Sequence, residues 1–293
     1  MIKDNSISSK ILSIIIHITL VLLVVVTLFP VLHVLAVSLS STHAYTSGMV
    51  SIFPREFTFE AYQTIWRQGS VPRGYINTIV YTVLGTFVNL LLTSMTAYPL
   101  SRERLTFRSF YNGMIVFTMF VTGGMVPTFL LVKDIGIYNT VWAMVLPNAI
   151  TVWNLVLLRT NFKSIPLELE ESAFLDGANE FTIFTRIILP LSKAGLATIG
   201  LFYAVGHWNA WFSALLYLRD SDKYPLQLIL REIVIQGSVQ MEQLSAEEGS
   251  AAVTSVENIK YATLFASLVP MLVVYPFIQK YFVKGVMVGS LKG

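Results

Sequence analysis

The chain has 293 residues, 54% of them hydrophobic and only 13% charged, with a mean hydropathy of +0.65. Soluble domains carry roughly 25% charge, so a water-soluble globular fold is excluded and a membrane protein is implied. The formal charge of +3 is no nucleic-acid footprint, and the absence of cysteine removes disulfides and thiolate metal sites.

A membrane-crossing helix needs about 20 mainly apolar residues, because roughly 30 Å of hydrocarbon is crossed at about 1.5 Å per residue. Six stretches qualify: Ile11 to Val37, Tyr75 to Leu100, Phe110 to Val132, Asn139 to Leu158, Gly195 to Leu218 and Tyr261 to Gln279. None contains Asp, Glu, Lys or Arg. Continuous apolar runs favour helices over a barrel, since lipid demands that backbone hydrogen bonds close within the segment. The expected fold is an all-α integral membrane protein of one domain, residues 1–293, with six transmembrane helices.

Lys3 and Lys10 precede the first span, and Ala36-Val37-Ser38 faintly resembles a cleavage site. Its apolar run far exceeds the roughly 7 to 15 residues of a signal core, so it is expected to remain as an anchor. With both termini placed inside, the inner segments hold Lys3, Lys10, Arg102, Arg104, Arg108, Arg159, Lys163, Arg186, Lys193, Lys280, Lys284 and Lys292. The longer outer segments hold the remainder: Arg55, Arg67, Arg73, Lys133, Arg219, Lys223, Arg231 and Lys260. That bias agrees with the positive-inside rule and sets the expected orientation.

In the third stretch, Thr122-Gly123-Gly124 with Pro127 predicts close packing or a local break in the helix. Two outer loops are substantial, 38–74 and 219–260. The tail of the second, QGSVQMEQLSAEEGSAAVTS, is low in hydrophobicity and suits either a solvated connector or a segment that orders on binding; residues 240–255 are candidates for meeting an external partner.

Between the fourth and fifth stretches, the inner loop 163–192 reads KSIPLELEESAF and then ESAFLDGANEFTIFTRIILP. Pro166 suits the first turn of a helix, and Glu168, Glu170 and Glu171 complement the positive end of its dipole. Gly177 permits a sharp change of direction, Asn179 caps a second helix, and Pro190 keeps that helix from running unbroken into the next span. Two short helices meeting at an elbow follow. In the second, Phe181, Phe184 and Ile188 form an apolar stripe in need of a partner surface, while Ser172, Ala173 and Ala178 allow close backbone approach. A loop lying on the membrane would show Lys and Arg on its polar face; this one leads with acid, which favours docking to a protein.

At Glu171, Ala173, Asp176, Gly177, Ala178, Ile187, Leu189 and Pro190 the loop resembles the cytoplasmic "EAA" coupling loop of ABC importer permeases. Ser172 stands in place of the middle alanine, and Ala194 where many relatives have a second proline. The likeness extends through GGMVPTFLLV, GHWNAWFSALLYL and the ending YPFIQKYFVKGVMVGSLKG to nearly the whole chain. It resembles the second permease subunit of maltose-type carbohydrate importers, and most closely the aldouronate and alginate branch. That resemblance implies an inner-membrane permease pairing with a second permease as a heterodimer, with two cytoplasmic ABC ATPases and with an extracytoplasmic solute-binding protein. It also implies an ATPase-coupling set of Glu171, Ala173, Asp176, Gly177, Ala178, Phe184, Ile187, Leu189 and Pro190. ATP and Mg would be used by the partner ATPase, and no cofactor is expected on this chain, which contains no G-x-x-x-x-G-K-[ST] loop and is not itself an enzyme.

Three other readings remain at this stage: an importer for a polyol or phosphorylated sugar, an ion-coupled secondary transporter, and a membrane scaffold that holds a cytoplasmic partner. The uncharged spans argue against ion coupling, although His17, His33, His207 or backbone carbonyls offer routes for an ion. For cargo, Trp153, Asn154, Tyr203, His207, Trp208 and Asn209 form a candidate passage lining, because aromatic faces and amide or imidazole edges suit sugar rings and hydroxyls. Each of these residues taken singly is better explained by packing between helices; the passage reading rests on the cluster.

Overall fold

The computed structural model describes residues 7–235, 257–274 and 276. The candidate segment 240–255, the end of the sixth stretch and the C-terminal signature lie outside the described residues. Helices dominate, as the apolar runs require. Among the described residues the sole β-type pairing is an isolated bridge between Ser40 and Phe57. The contacts fall into two compact units, residues 1–71 with 230–270, and residues 72–229 with 271–293.

In the first unit, α1 (Ile7–Ser38) carries Ile, Leu and Val on every side and buries only Ala36, Val37 and Ser38 of its last turn. A helix that apolar all round belongs in lipid. Its end leads into α2 (Thr42–Thr46), capped by Ser41, and α3 (Glu60–Gln68), closed by left-handed Gly69. Ser40 ties the turn together: its hydroxyl donates to Ala36 O at 2.6 Å and accepts from Arg55 N at 3.0 Å. Asn258, on the helix of residues 257–274, donates to Ser40 O at 3.2 Å.

In the second unit, α4 (Ser70–Ser101) runs 32 residues, about 48 Å at 1.5 Å per residue. Together with α1 it is one of two described helices long and apolar enough to cross a membrane unaided. The third, fourth and fifth stretches are each interrupted, the third at the glycine pair where the sequence allowed a local break. The third divides into α5 (Arg108–Phe120) and α6 (Met125–Asp134), bent by 112°. The break falls at Gly123-Gly124, where Gly124 takes a φ of +85° that a side chain would disfavour. The fourth divides into α7 (Val141–Val145) and α8 (Val152–Lys163), separated at Pro147, which cannot continue the hydrogen-bond ladder. After α9 (Glu168–Leu175), α10 (Glu180–Ile183), a π-helical turn and α11 (Leu189–Leu191), the fifth runs as α12 (Lys193–Trp208), yields at Asn209, and resumes as α13 (Phe212–Tyr217).

Close approach between α4 and α12 rests on small residues. A Cβ at Gly85 would stand 2.4 Å from His207 Nε2, and one at Gly200 would stand 3.1 Å from a Leu90 methyl. With no hydrophobic drive between helices in lipid, such contacts and buried polar pairs supply the cohesion.

Candidate coupling elbow

The elbow begins two residues later than the sequence suggests: Pro166 precedes the cap residue Leu167, and α9 starts at Glu168. It ends in a Schellman closure, with Ala178 N donating to Ala173 O at 2.9 Å and Gly177 N to Phe174 O at 3.0 Å. Gly177 holds a φ of +81° with nothing within 4 Å of where its Cβ would lie. The constraint there is conformational, not steric crowding. Asn179 then caps α10 as expected, its Oδ1 accepting from Thr182 N at 2.8 Å.

Pro190 lacks the N–H and crowds the carbonyl four residues back. The chain relieves this by widening one turn: Leu189 N bonds to Phe184 O, five residues back, over the π-helical segment Phe184–Ile188. At Ser192 the path swings by 81° into α12.

The stripe that looked like a partner-binding face is divided in space. Phe184 and Ile188, with Ile183, are buried in the chain's own core beside Tyr98, Leu158, Phe162 and Ile199, while Ala173, Ala178, Ile187 and Leu189 pack partly against that core. Phe184 lies on Tyr98 with ring centroids 5.3 Å apart. The small residues thus admit the chain's own helices closely. The face turned to solvent comprises Glu171, Ser172, Leu175, Asp176 and Phe181, with Leu175 89% and Phe181 73% exposed, and Gly177 and Pro190 are also exposed.

Charges below the elbow were legible in the sequence only as topology markers. Glu170 is 1% exposed and makes ion pairs with Arg102, itself 3% exposed, and with Arg104 at 3.2 Å. Its contact with Arg102 is ionic and not an aligned hydrogen bond, and Arg102 Nε has no hydrogen-bond partner among the described residues. Arg102 Nη1 also donates to Phe162 O at 2.9 Å, at the end of α8. Arg104 Nη2 reaches Glu180 Oε2 at 2.7 Å and Tyr98 Oη at 3.1 Å, and Tyr98 donates to the same Glu180 oxygen at 2.9 Å. Both halves of the elbow are therefore fastened to the end of α4. Glu168, Glu171 and Asp176 form no ion pair among the described residues, which leaves the outer face acidic as well as apolar.

The passage candidates do not converge in one lining. Tyr203 and His207 are buried in a polar seam between α4 and α12, joined by residues the sequence reading omitted. Tyr203 Oη shares a hydrogen bond with Thr93 Oγ1 at 2.7 Å and accepts from Thr151 N at 3.1 Å, and His207 Nε2 lies 3.1 Å from Asn89 Nδ2. Trp208 is buried with its indole nitrogen unpartnered among the described residues, its ring 6.4 Å from that of Tyr75. Asn154 is buried, whereas Trp153 and Asn209 are exposed.

Residues 89–288 match the family described as binding-protein-dependent transport system inner membrane component. Among curated relatives, the chain is 42% identical over 274 residues to the polygalacturonan/rhamnogalacturonan transport system permease protein YtcP of Bacillus subtilis (strain 168), covering 94% of this chain and 96% of that one. It is 41% identical to Protein LplC of the same organism, covering 92% and 90%. Among solved structures, a chain of a bacterial ABC transporter involved in the import of the acidic polysaccharide alginate superposes with a TM-score of 0.85 at 33% identity, covering 94% of this chain and 98% of that one. An elbow pinned beneath a bundle of broken apolar helices, together with these matches along nearly the full length, establishes that the chain belongs to the inner membrane components of binding-protein-dependent transport systems, the permease subunits of ABC importers.

Proposed function

We propose that this permease moves an oligosaccharide inward from an extracytoplasmic binding protein, paired with a second permease and driven by two cytoplasmic ATPases through the elbow at 163–192. The carrying observation is the elbow's two-sidedness. Its inner side is fixed to α4 and α8 by buried charge and apolar packing, and its outer side offers Leu175, Phe181, Glu171 and Asp176 to another surface. A push on the outer side is thus delivered to the helices that make the bundle. In this reading both termini lie in the cytoplasm, and the ATP and Mg belong to the ATPase partner. The absence of a phosphate-cradling loop in the sequence supports that division.

The oligosaccharide cargo is supported by the relatives, a polygalacturonan/rhamnogalacturonan transport system permease and a transporter involved in alginate import. Of the passage candidates, Trp153 and Asn209 are accessible in this conformation, while Tyr203 and His207 would become so only when α4 and α12 part. The deciding experiment reconstitutes the full complex in proteoliposomes with its binding protein and follows ATP-dependent uptake of acidic and neutral oligosaccharides. Uptake that requires ATP and binding protein, and that Glu171→Lys abolishes while complex assembly persists, supports the proposal. Uptake driven by an ion gradient without the ATPase refutes it.

A further inference from the structure

A cavity of about 660 Å³ lies where the start of α5 meets the end of α8, lined by Arg108, Asn112, Val116, Arg159, Thr160 and Lys163. Three cations line it and no carboxylate does. Their local partners leave the charge largely uncompensated. Arg108 meets the exposed Glu103 only at 3.7 Å, and its Nε is buried without a hydrogen-bond partner among the described residues. Arg159 Nη1 donates to the neutral Asn112 Oδ1, and Lys163 forms no ion pair among the described residues.

Position narrows the class of anion. The cations stand at one level of the apolar slab: α5 turns apolar from Phe110 onward, and α8 is apolar up to Leu158. Beneath them α5 buries no residue of its own, and Met114, Val116, Phe117 and Phe120 are exposed. A ligand satisfying both features has a phosphate at headgroup depth and hydrocarbon below it. Basic pockets between membrane helices on the cytoplasmic side have this character for anionic lipid headgroups.

We propose that this cavity binds the phosphate of an anionic phospholipid of the inner leaflet, held by Arg108, Arg159 and Lys163, with an acyl chain lying along α5. The proposal rests on the inward orientation of the elbow given above. Lipid retention is read without nucleotide or cargo, so its failure is distinguishable from failure of transport.

The test is native mass spectrometry of the intact importer complex, titrated with phosphatidylglycerol or phosphatidylcholine, with and without millimolar inorganic phosphate. The expected result is selective retention of phosphatidylglycerol, weakened about fivefold by Lys163→Gln and again by Arg159→Gln, and undisturbed by phosphate. Equal retention of the two lipids, retention unchanged in the variants, or displacement by phosphate alone overturns it, as does burial of the cavity by a partner subunit that admits no lipid. If Arg159→Gln fails to assemble, Lys163→Gln alone decides, since that exposed side chain makes no ion pair among the described residues.

Discussion

The two ends of α4 are fastened by opposite means. At its elbow end, Arg102 and Glu170 form an ion pair almost wholly removed from solvent. At its other end, the exposed Arg73 pairs with the exposed Asp222, and Asn77 Nδ2 donates to Asp222 O at 2.8 Å and Tyr224 O at 3.0 Å. Nearby, left-handed Asn139 gathers the 218–224 turn: its Oδ1 accepts from Arg219 N at 3.0 Å and Asp220 N at 3.2 Å, and Lys223 Nζ donates to its carbonyl at 2.9 Å. Exposed pairs each contribute about 0 to 1 kcal/mol and rearrange readily. A buried pair adds little net stability, yet removing one partner strands the other charge at a cost of about 3 to 5 kcal/mol. The difference suits the proposed roles: one end must hold register while force passes through it, and the other can adjust to what it meets.

The sharpest way to break this contrast is Arg102→Leu, which leaves the buried Glu170 with only the more distant Arg104 beside it. A loss of about 3 to 5 kcal/mol in complex stability is expected in thermal or denaturant unfolding, with uptake lost. Joining it to Glu170→Leu should recover most of that stability while coupling stays impaired; recovery of coupling as well would show that the charges do not set the elbow's register. Next in size is Gly177→Val, where a β-branched side chain at a φ of +81° costs on the order of 1 to 3 kcal/mol and loosens the Schellman turn. Increased proteolysis within 175–180 is the readout.

Leu175→Ser with Phe181→Ser should leave stability within about 0.5 kcal/mol, since both are exposed, yet weaken ATPase association at least tenfold in pull-down titrations. Unweakened association would place the docking face elsewhere. The smallest effects belong to the far end, where Asp222→Asn should change stability by less than about 1 kcal/mol and lose even that at high salt. Asp220 sharpens the same point through pH. Hydrogen bonds from Asn139 and Lys223 hold its carboxyl below its ordinary value. Its contribution is therefore present above the usual aspartate range and fades as pH falls through the depressed value, so acidification should loosen this turn, read as faster amide exchange at 139–140.

Much of this was legible in the sequence because the signals were local. Gly177, Asn179 and Pro190 announced a bend, a cap and a disturbed turn by their own backbone chemistry, and the Gly123-Gly124 break was marked in the same way. Pairing across long separations carried no such mark: Arg102 and Glu170 stand far apart in the chain, and each alone read as a topology charge or a dipole partner. The division of Phe181 from Phe184 and Ile188 was hidden because residues three apart still differ by about 60° around a helix, so one edge of an apolar stripe can face solvent while the rest is buried. Pro147 was likewise read through, since an apolar run looks continuous whether or not its backbone is.

The central claim, that the elbow's outer face projects into the cell and meets a separate ATPase, can be tested at one atom because the chain has no cysteine. Leu175→Cys supplies a single thiol for a membrane-impermeant maleimide in right-side-out and inside-out vesicles, with and without the ATPase. Labelling confined to inside-out vesicles and blocked by the ATPase is the predicted result. Labelling from the outside of right-side-out vesicles, or labelling indifferent to the ATPase, would contradict it.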